Sequence, residues 1–229
     1  MAKILTTAIV ADIRNKLNGS VFSKNRYGSY VRTKVTPVNP QTTAQQNVRN
    51  RLSTNSQAWR GLTDAQRQGW INAAPNFPTT DIFGNPKILS GNALYVKLNN
   101  NLAGAGIAAI DDAPLPVAIP AVVLGALAAA AGTPAITAAF TPSPVPTDFS
   151  FLIEATPQVG AGISFVKNRY RSLQYVAAAG TSPANLLTNY NAKFGTLVEG
   201  MKIFIRITAI STTTGQAGIP VAGSLTVAA

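Results

Sequence analysis

The sequence contains no cysteine and no histidine, and only eight of its 229 residues are acidic. Disulfides, thiolate nucleophiles, histidine acid–base catalysis and nearly all zinc chemistry are therefore excluded. Charged residues make up 12% of the chain, about half the share that is usual in globular domains. Apolar residues make up 46%, which argues against disorder. We expect a folded chain that covers part of its weakly charged surface with partners.

Long hydrophobic runs are also lacking. The most apolar stretch, residues 117–131, is fifteen residues long and contains Pro120 and Gly125. A membrane-spanning helix needs about 20 apolar residues, so we interpret this stretch as β-structure and expect no membrane partner. The N-terminal segment is too short and too polar to resemble a signal peptide.

Groups that carry out chemistry are few. Asp111 and Asp112 are the only adjacent carboxylates, and they lie in a segment rich in proline and glycine, where we expect them to be solvated. No phosphate-binding loop, dinucleotide fingerprint, nucleophile elbow or calcium-binding loop occurs. We therefore predict that the protein is not an enzyme, with no catalytic residues, no metal site and no cofactor.

The positive charge is concentrated near the N-terminus. Of the net charge of +11, residues 1–70 carry +9, from eleven Lys and Arg residues against Asp12 and Asp64. This imbalance predicts an acidic partner, either nucleic acid or an acidic protein surface. The basic residues predicted to contact it are Arg14, Lys16, Lys24, Arg26, Arg32, Lys34, Arg49 and Arg51.

Residues 1–36 are predicted to form a basic, extended arm. A loose apolar run over residues 4–13 indicates extended chain, and two alternating runs around Tyr27-Gly28 predict a β-hairpin. Arg26, Arg32 and Lys34 are expected to stand close together on it. An isolated hairpin is marginally stable in water, so we expect it to lean on a neighbour.

Residues 37–104 are predicted to form a helical segment with three short helices. Residues 37–40 (PVNP) form a rigid connector, and Thr42 or Thr43 can cap a helix that runs to about residue 61. Its apolar stripe consists of Ala44, Val48, Leu52, Asn55 and Trp59.

Thr63 and Gln66 form a capping box for a second helix, which extends to about residue 74. After a loop over residues 76–90, Ser90 can cap a third helix over residues 91–103. Trp59 and Trp70 are predicted to pack where the first two helices cross. A DNA-reading helix–turn–helix is disfavoured, because the second helix offers only Arg67 and a few amides to bases.

Residues 105–120 are predicted to be a Pro/Gly linker, and residues 121–229 an all-β domain. Seven short candidate strands in about a hundred residues are typical of a Greek-key sandwich of the immunoglobulin or fibronectin type III kind. The fold class predicted for the whole chain is therefore α+β, in two parts. The candidate strands are residues 122–129, 135–141, 149–156, 163–166, 172–178, 202–211 and 224–227.

Several segments resemble a block found in uncharacterised proteins of tailed bacteriophages and prophages. They are residues 19–26 (GSVFSKNR), 30–32 (YVR), 37–42 (PVNPQT) with Gln45 and Arg49, 59–67 (WRGLTDAQR) with Trp70, 89–95 (LSGNALY) and 99–102 (NNNL). Residues 165–170 (FVKNRY) and 212–216 (TTTGQ) resemble the β-domain that accompanies the block. The resemblance implies a virion structural protein that is assembled in the host cytoplasm and present in several copies.

Within that class we expect a capsid decoration or cement protein whose basic arm binds neighbouring capsid subunits. A tail, baseplate or fibre-anchoring subunit fits nearly as well. A packaged or nucleic-acid-binding protein, with the basic residues on phosphates, is a second alternative. A glycan- or host-binding adhesin that uses the sandwich loops is a third, although no sugar-site pattern supports it.

Overall fold

The computed structural model describes residues 2–5, 12–35, 39–81 and 83–229, and over these the protein is a mixed helix-and-sheet molecule of the α+β class. A four-stranded sheet is followed by three helices and then by two further sheets. Two separate hydrophobic clusters form the core, one among the helices and one between the C-terminal sheets.

The N-terminal sheet is antiparallel, with the strand order β1-β4-β3-β2. Its strands are β1 (Ala2–Ile4), β2 (Asn15–Leu17), β3 (Ser20–Asn25) and β4 (Gly28–Thr33). The predicted hairpin is confirmed as β3–β4, and Gly28 follows its turn with a φ of 105° that favours glycine. The sequence indicated only extended chain around it, whereas β1 and β2 pair with its two outer edges. Residues 6–11 of the predicted apolar run lie outside the described residues.

The three predicted helices are confirmed as α1 (Thr43–Gly61), α2 (Asp64–Ala73) and α3 (Gly91–Gly104). The hydroxyls of Thr42 and Ser90 accept the backbone N–H groups of Gln45 and Ala93. At α2 both bonds of the Thr63–Gln66 capping box are present. These caps were predictable because they depend on residues three positions apart.

Between α2 and α3 the structure is more regular than the predicted loop. A 3₁₀ turn (Ala74–Asn76) follows α2, and β5 (Thr79–Thr80) then pairs with β6 (Pro86–Lys87) in a short hairpin. Of the predicted connector before α1, residues 37 and 38 lie outside the described ranges.

The helical cluster is built around Trp70 and Tyr95, which are both fully buried. Their rings meet edge to face, 5.2 Å apart, and Trp59 packs on Tyr95 at 5.5 Å. The indole N–H of Trp70 donates to the backbone carbonyl of Asp111 at 2.7 Å. The Asn99 side chain bonds both backbone groups of Ile110, so residues predicted as linker are fixed to the helices.

The C-terminal part contains two antiparallel sheets with the orders β10-β9-β12-β13 and β11-β8-β7. Its elements are β7 (Val123–Ala130), β8 (Ala135–Thr141), β9 (Phe149–Ala155), β10 (Arg171–Val176), β11 (Ala184–Asn185), α4 (Leu187–Phe194), β12 (Lys202–Ser211) and β13 (Val221–Thr226). The predicted alternation in β12 is confirmed, because Ile203, Ile205, Ile207 and Ala209 are buried in the core between the sheets.

Three predictions in this part were wrong. Residues 163–166 form no strand: the N–H of Ile163 bonds the Gly160 carbonyl in a turn, and Phe165 is 75% exposed. Residues 224–227 belong to a strand that begins three residues earlier, at Val221. The helix α4 was not predicted, because its asparagines and threonine are poor helix formers. Burial of Tyr190, whose hydroxyl donates to the Thr156 carbonyl, holds it in place.

The helical cluster docks on the C-terminal sheets at the loop between β12 and β13. The Asn101 side chain donates to the Gly215 carbonyl at 2.8 Å, and the Gln216 side chain accepts the backbone N–H of Val117. Gly215 has a φ of 73°, and a Cβ there would lie 2.3 Å from the Leu98 carbonyl oxygen. Only glycine allows this approach.

Candidate assembly surface

The N-terminal sheet has one basic and one apolar face. Cross-strand partners point to the same side, and Lys16 pairs with Val21, Val21 with Arg32, and Lys3 with Tyr30. We call this side the basic face: Lys3, Lys16, Val21, Ser23, Tyr30 and Arg32. The opposite side is the apolar face: Ala2, Ile4, Leu17, Phe22 and Val31.

The hairpin does not gather all the predicted cations. Arg26 lies in the turn, whereas Arg32 lies near the open end, where Lys34 bonds the Gly19 carbonyl through its backbone N–H. The expectation that Arg26 stands close to Arg32 and Lys34 is therefore wrong, because they occupy opposite ends of a six-residue strand pair. Lys24, which pairs with Ser29, lies on the apolar side.

Most of the basic residues before residue 71 have no carboxylate partner. Within the described ranges three of the eleven form salt bridges: Lys3 with Asp81 and Arg14 with Asp12, both at 2.7 Å, and Arg67 with Asp64 at 3.1 Å. Arg49 donates to the Asn39 side chain instead. Eight exposed cations thus form no salt bridge to a described acidic residue: Lys16, Lys24, Arg26, Arg32, Lys34, Arg49, Arg51 and Arg60.

The sheet leans on the β5–β6 hairpin through its basic face. Lys3 holds the pKa of the Asp81 carboxyl at about 2, below its ordinary 3.8; burial opposes this, and the backbone N–H groups of Phe83 and Asn85 assist it. The Lys87 ammonium lies 3.9 Å from the centre of the Tyr27 ring. A cavity of about 380 Å³ lies between these groups. The sequence gave no sign of these contacts, which join residues about 60 to 80 positions apart.

The apolar face contributes nothing to either hydrophobic cluster of the described chain. Leu17 is 69% exposed, and Leu5 and Val35, at the ends of neighbouring strands, are similarly open. Exposed aliphatic side chains beside unpaired cations are typical of a surface that meets another macromolecule.

The stripe predicted on α1 is divided between the core and the surface. Asn55 is buried and Trp59 is half-buried, whereas Val48 is 65% and Leu52 is 55% exposed. Every residue from Thr43 to Thr54 is exposed. The pattern predicted the helix correctly, but it could not indicate how much of the helix a neighbour would cover.

Trp59 and Trp70 both pack against Tyr95 of α3, on different sides of its ring. Sequence reasoning placed them at the crossing of α1 and α2 and did not include the third helix. Tyr95 could have been found from its place in the Leu94–Leu98 stripe, but not its position between two indoles.

The described residues contain no group of three or more acidic side chains placed to hold a metal ion. Asp111 and Asp112 are exposed, and Asp112 accepts a bond from the Gln66 side chain. Glu154 pairs with Arg206 at 2.7 Å. No helix in the described ranges has the length and apolarity needed to cross a membrane.

No protein-family model, curated protein or solved structure matches this chain significantly.

Proposed function

We propose that the protein is a structural component of a tailed-bacteriophage particle, a capsid decoration or cement protein that binds neighbouring subunits through its N-terminal sheet and α1. The observation that carries this proposal is the coincidence of eight exposed cations lacking described acidic partners with open aliphatic side chains. A surface of this kind is complementary to an acidic protein surface with apolar patches. The proposal includes no catalytic activity.

The C-terminal part enters this proposal as a Greek-key sandwich of the fibronectin type III kind. If β7 to β13 are taken as the seven strands of such a domain, the third strand lies between the fourth and the sixth, and the second lies between the first and the fifth. This exchange of neighbours between two packed sheets supports the assignment.

The sandwich also has protected edges. The residue after β13 bonds to both ends of the β7 terminus, through Ala228 to Ala129 and Ala131. On the other side α4 covers β10, with Lys193 donating to the Ser172 carbonyl and Asn189 to Gln174. Protected edges suit a module that stays folded without adding strands from neighbours, which leaves the N-terminal part as the binding element.

The proposal is tested by locating the protein in purified particles of the phage or prophage that encodes it. We expect it in a fixed copy number after nuclease treatment, on the outer shell, as seen by cryo-electron microscopy and quantitative mass spectrometry. Its absence from purified particles would overturn the proposal, and density on the tail would replace the capsid by the tail as its site.

Nucleic-acid binding is a second candidate, favoured by Tyr30 on the basic face between Lys3 and the Ser23–Arg32 side of the sheet. Exposed aromatic rings among cations can stack on bases. A salt-titrated mobility shift with the full chain tests it, and no shift at low salt would remove this candidate.

A further inference from the structure

The helix α1 continues past the element that covers it. Trp59 packs on Tyr95 in the second turn of α3, and Arg51 lies beside Gly104, where α3 ends. The two helices therefore run antiparallel, and the residues of α1 before Arg51 extend beyond the end of α3. In that projecting part the stripe residues Val48 and Leu52 are exposed.

Arginines flank this exposed stripe. At about 100° per residue, Arg49 and Arg51 lie about 100° and 60° to either side of Val48. Both are exposed, and neither forms a salt bridge to a described carboxylate. The helix itself contains no Asp or Glu. The projecting end therefore has an apolar centre and a cationic rim.

The charge excludes a second copy of α1 as the occupant, because two such helices would bring their arginines together with no acidic residue to compensate them. Nucleic acid would satisfy the arginines but would leave Val48 and Leu52 against phosphates. A protein groove with an apolar floor and an acidic rim satisfies both sets of side chains.

We propose that the projecting end of α1, residues 43–54, inserts into an apolar, acid-rimmed groove of a neighbouring virion subunit. This inference rests on the proposed function, which supplies the protein neighbour. Val48 and Leu52 lie in the floor of the groove, and Arg49 and Arg51 pair with carboxylates at its rim. Folding of an isolated helix of this length is marginal in water, so the groove also orders these turns.

The test uses particles produced from a genome that lacks the gene, to which purified full-length chain is added, and measures the bound fraction by sedimentation. The stripe variant carries Val48→Gln and Leu52→Gln, and the rim variant carries Arg49→Gln and Arg51→Gln. Gln46→Ala with Ser53→Ala, on the opposite face of the same helix, is the matched control. Because all six positions are exposed, thermal unfolding of the variants should match that of the wild type.

We expect the stripe variant and the rim variant each to bind at least roughly tenfold more weakly, and the control to bind like the wild type. A stripe variant that binds like the wild type overturns the inference and leaves the proposed function standing. Failure of the wild-type chain to bind the particles overturns both.

Amide hydrogen exchange of the wild-type chain provides a readout that does not depend on substitutions. Residues 43–54 should exchange fast in the free protein and at least about tenfold more slowly on the particle. If their exchange is unchanged in the bound chain, α1 is not inserted and the inference is overturned.

Discussion

At the scale of single residues, one ion pair connects the N-terminal strand to the rest of the chain. We predict that Lys3→Gln raises the pKa of Asp81 from about 2 toward its ordinary 3.8, because the first cause of the depression is the bond from Lys3. A folded-state pKa below the unfolded one means that the pair stabilises the fold fully above about pH 3.8 and loses this effect as the pH falls through about 2.

The carboxyl carbon shift of Asp81, followed by NMR over an acid titration, measures this directly. Lys16→Gln, on the same face but with no described carboxylate partner, is the control and should leave the midpoint unchanged. An unchanged midpoint in Lys3→Gln would show that the backbone N–H groups of Phe83 and Asn85 are sufficient to lower it.

Gly215 is the second residue on which the architecture depends. We predict that Gly215→Ala destabilises the protein by about 1–3 kcal/mol, because the new Cβ would lie 2.3 Å from the Leu98 carbonyl and the φ of 73° disfavours it. Denaturant unfolding measures the loss. Gly162→Ala, where a Cβ would meet nothing within 4 Å, is the control. Equal stability of the two variants would show that the docking of α3 on the loop tolerates a shift.

At the scale of elements, the helical cluster depends on Trp70. We predict that Trp70→Ala costs about 3–5 kcal/mol, because the indole is fully buried against Tyr95 and its N–H holds the Asp111 carbonyl. Trp59→Ala should cost less, since that ring is only half-buried. The far-UV circular dichroism of the two variants during thermal unfolding checks the order, and a larger loss for Trp59→Ala would contradict it.

The elements that could be predicted from the sequence are those specified by near neighbours. The Thr63–Gln66 cap, the turn before Gly28 and the alternation of β12 each depend on residues within a few positions. Tertiary packing decided the rest: α4 forms against a buried Tyr190, β1 pairs across the sheet with β4, and the α1 stripe is covered only from Asn55 onward. The predicted contact residues were correctly placed as exposed, but no local pattern could separate Arg26 from Arg32.

At the scale of the whole molecule, the charge lies on the part that projects, and a nearly neutral sandwich carries it. If all eight unpaired cations lay on phosphates, the logarithm of the association constant would fall with the logarithm of the salt concentration with a slope of about −7. A partner bound partly through aliphatic side chains responds less to salt, because burial of apolar surface is not screened. We therefore predict a slope shallower than about −3 for association of the full chain with particles, measured between about 0.05 and 0.2 M salt. The same titration with duplex DNA supplies the comparison. Equal slopes for particles and DNA would mean that the cations act alone, and the assignment of α1 to a protein groove would then be wrong.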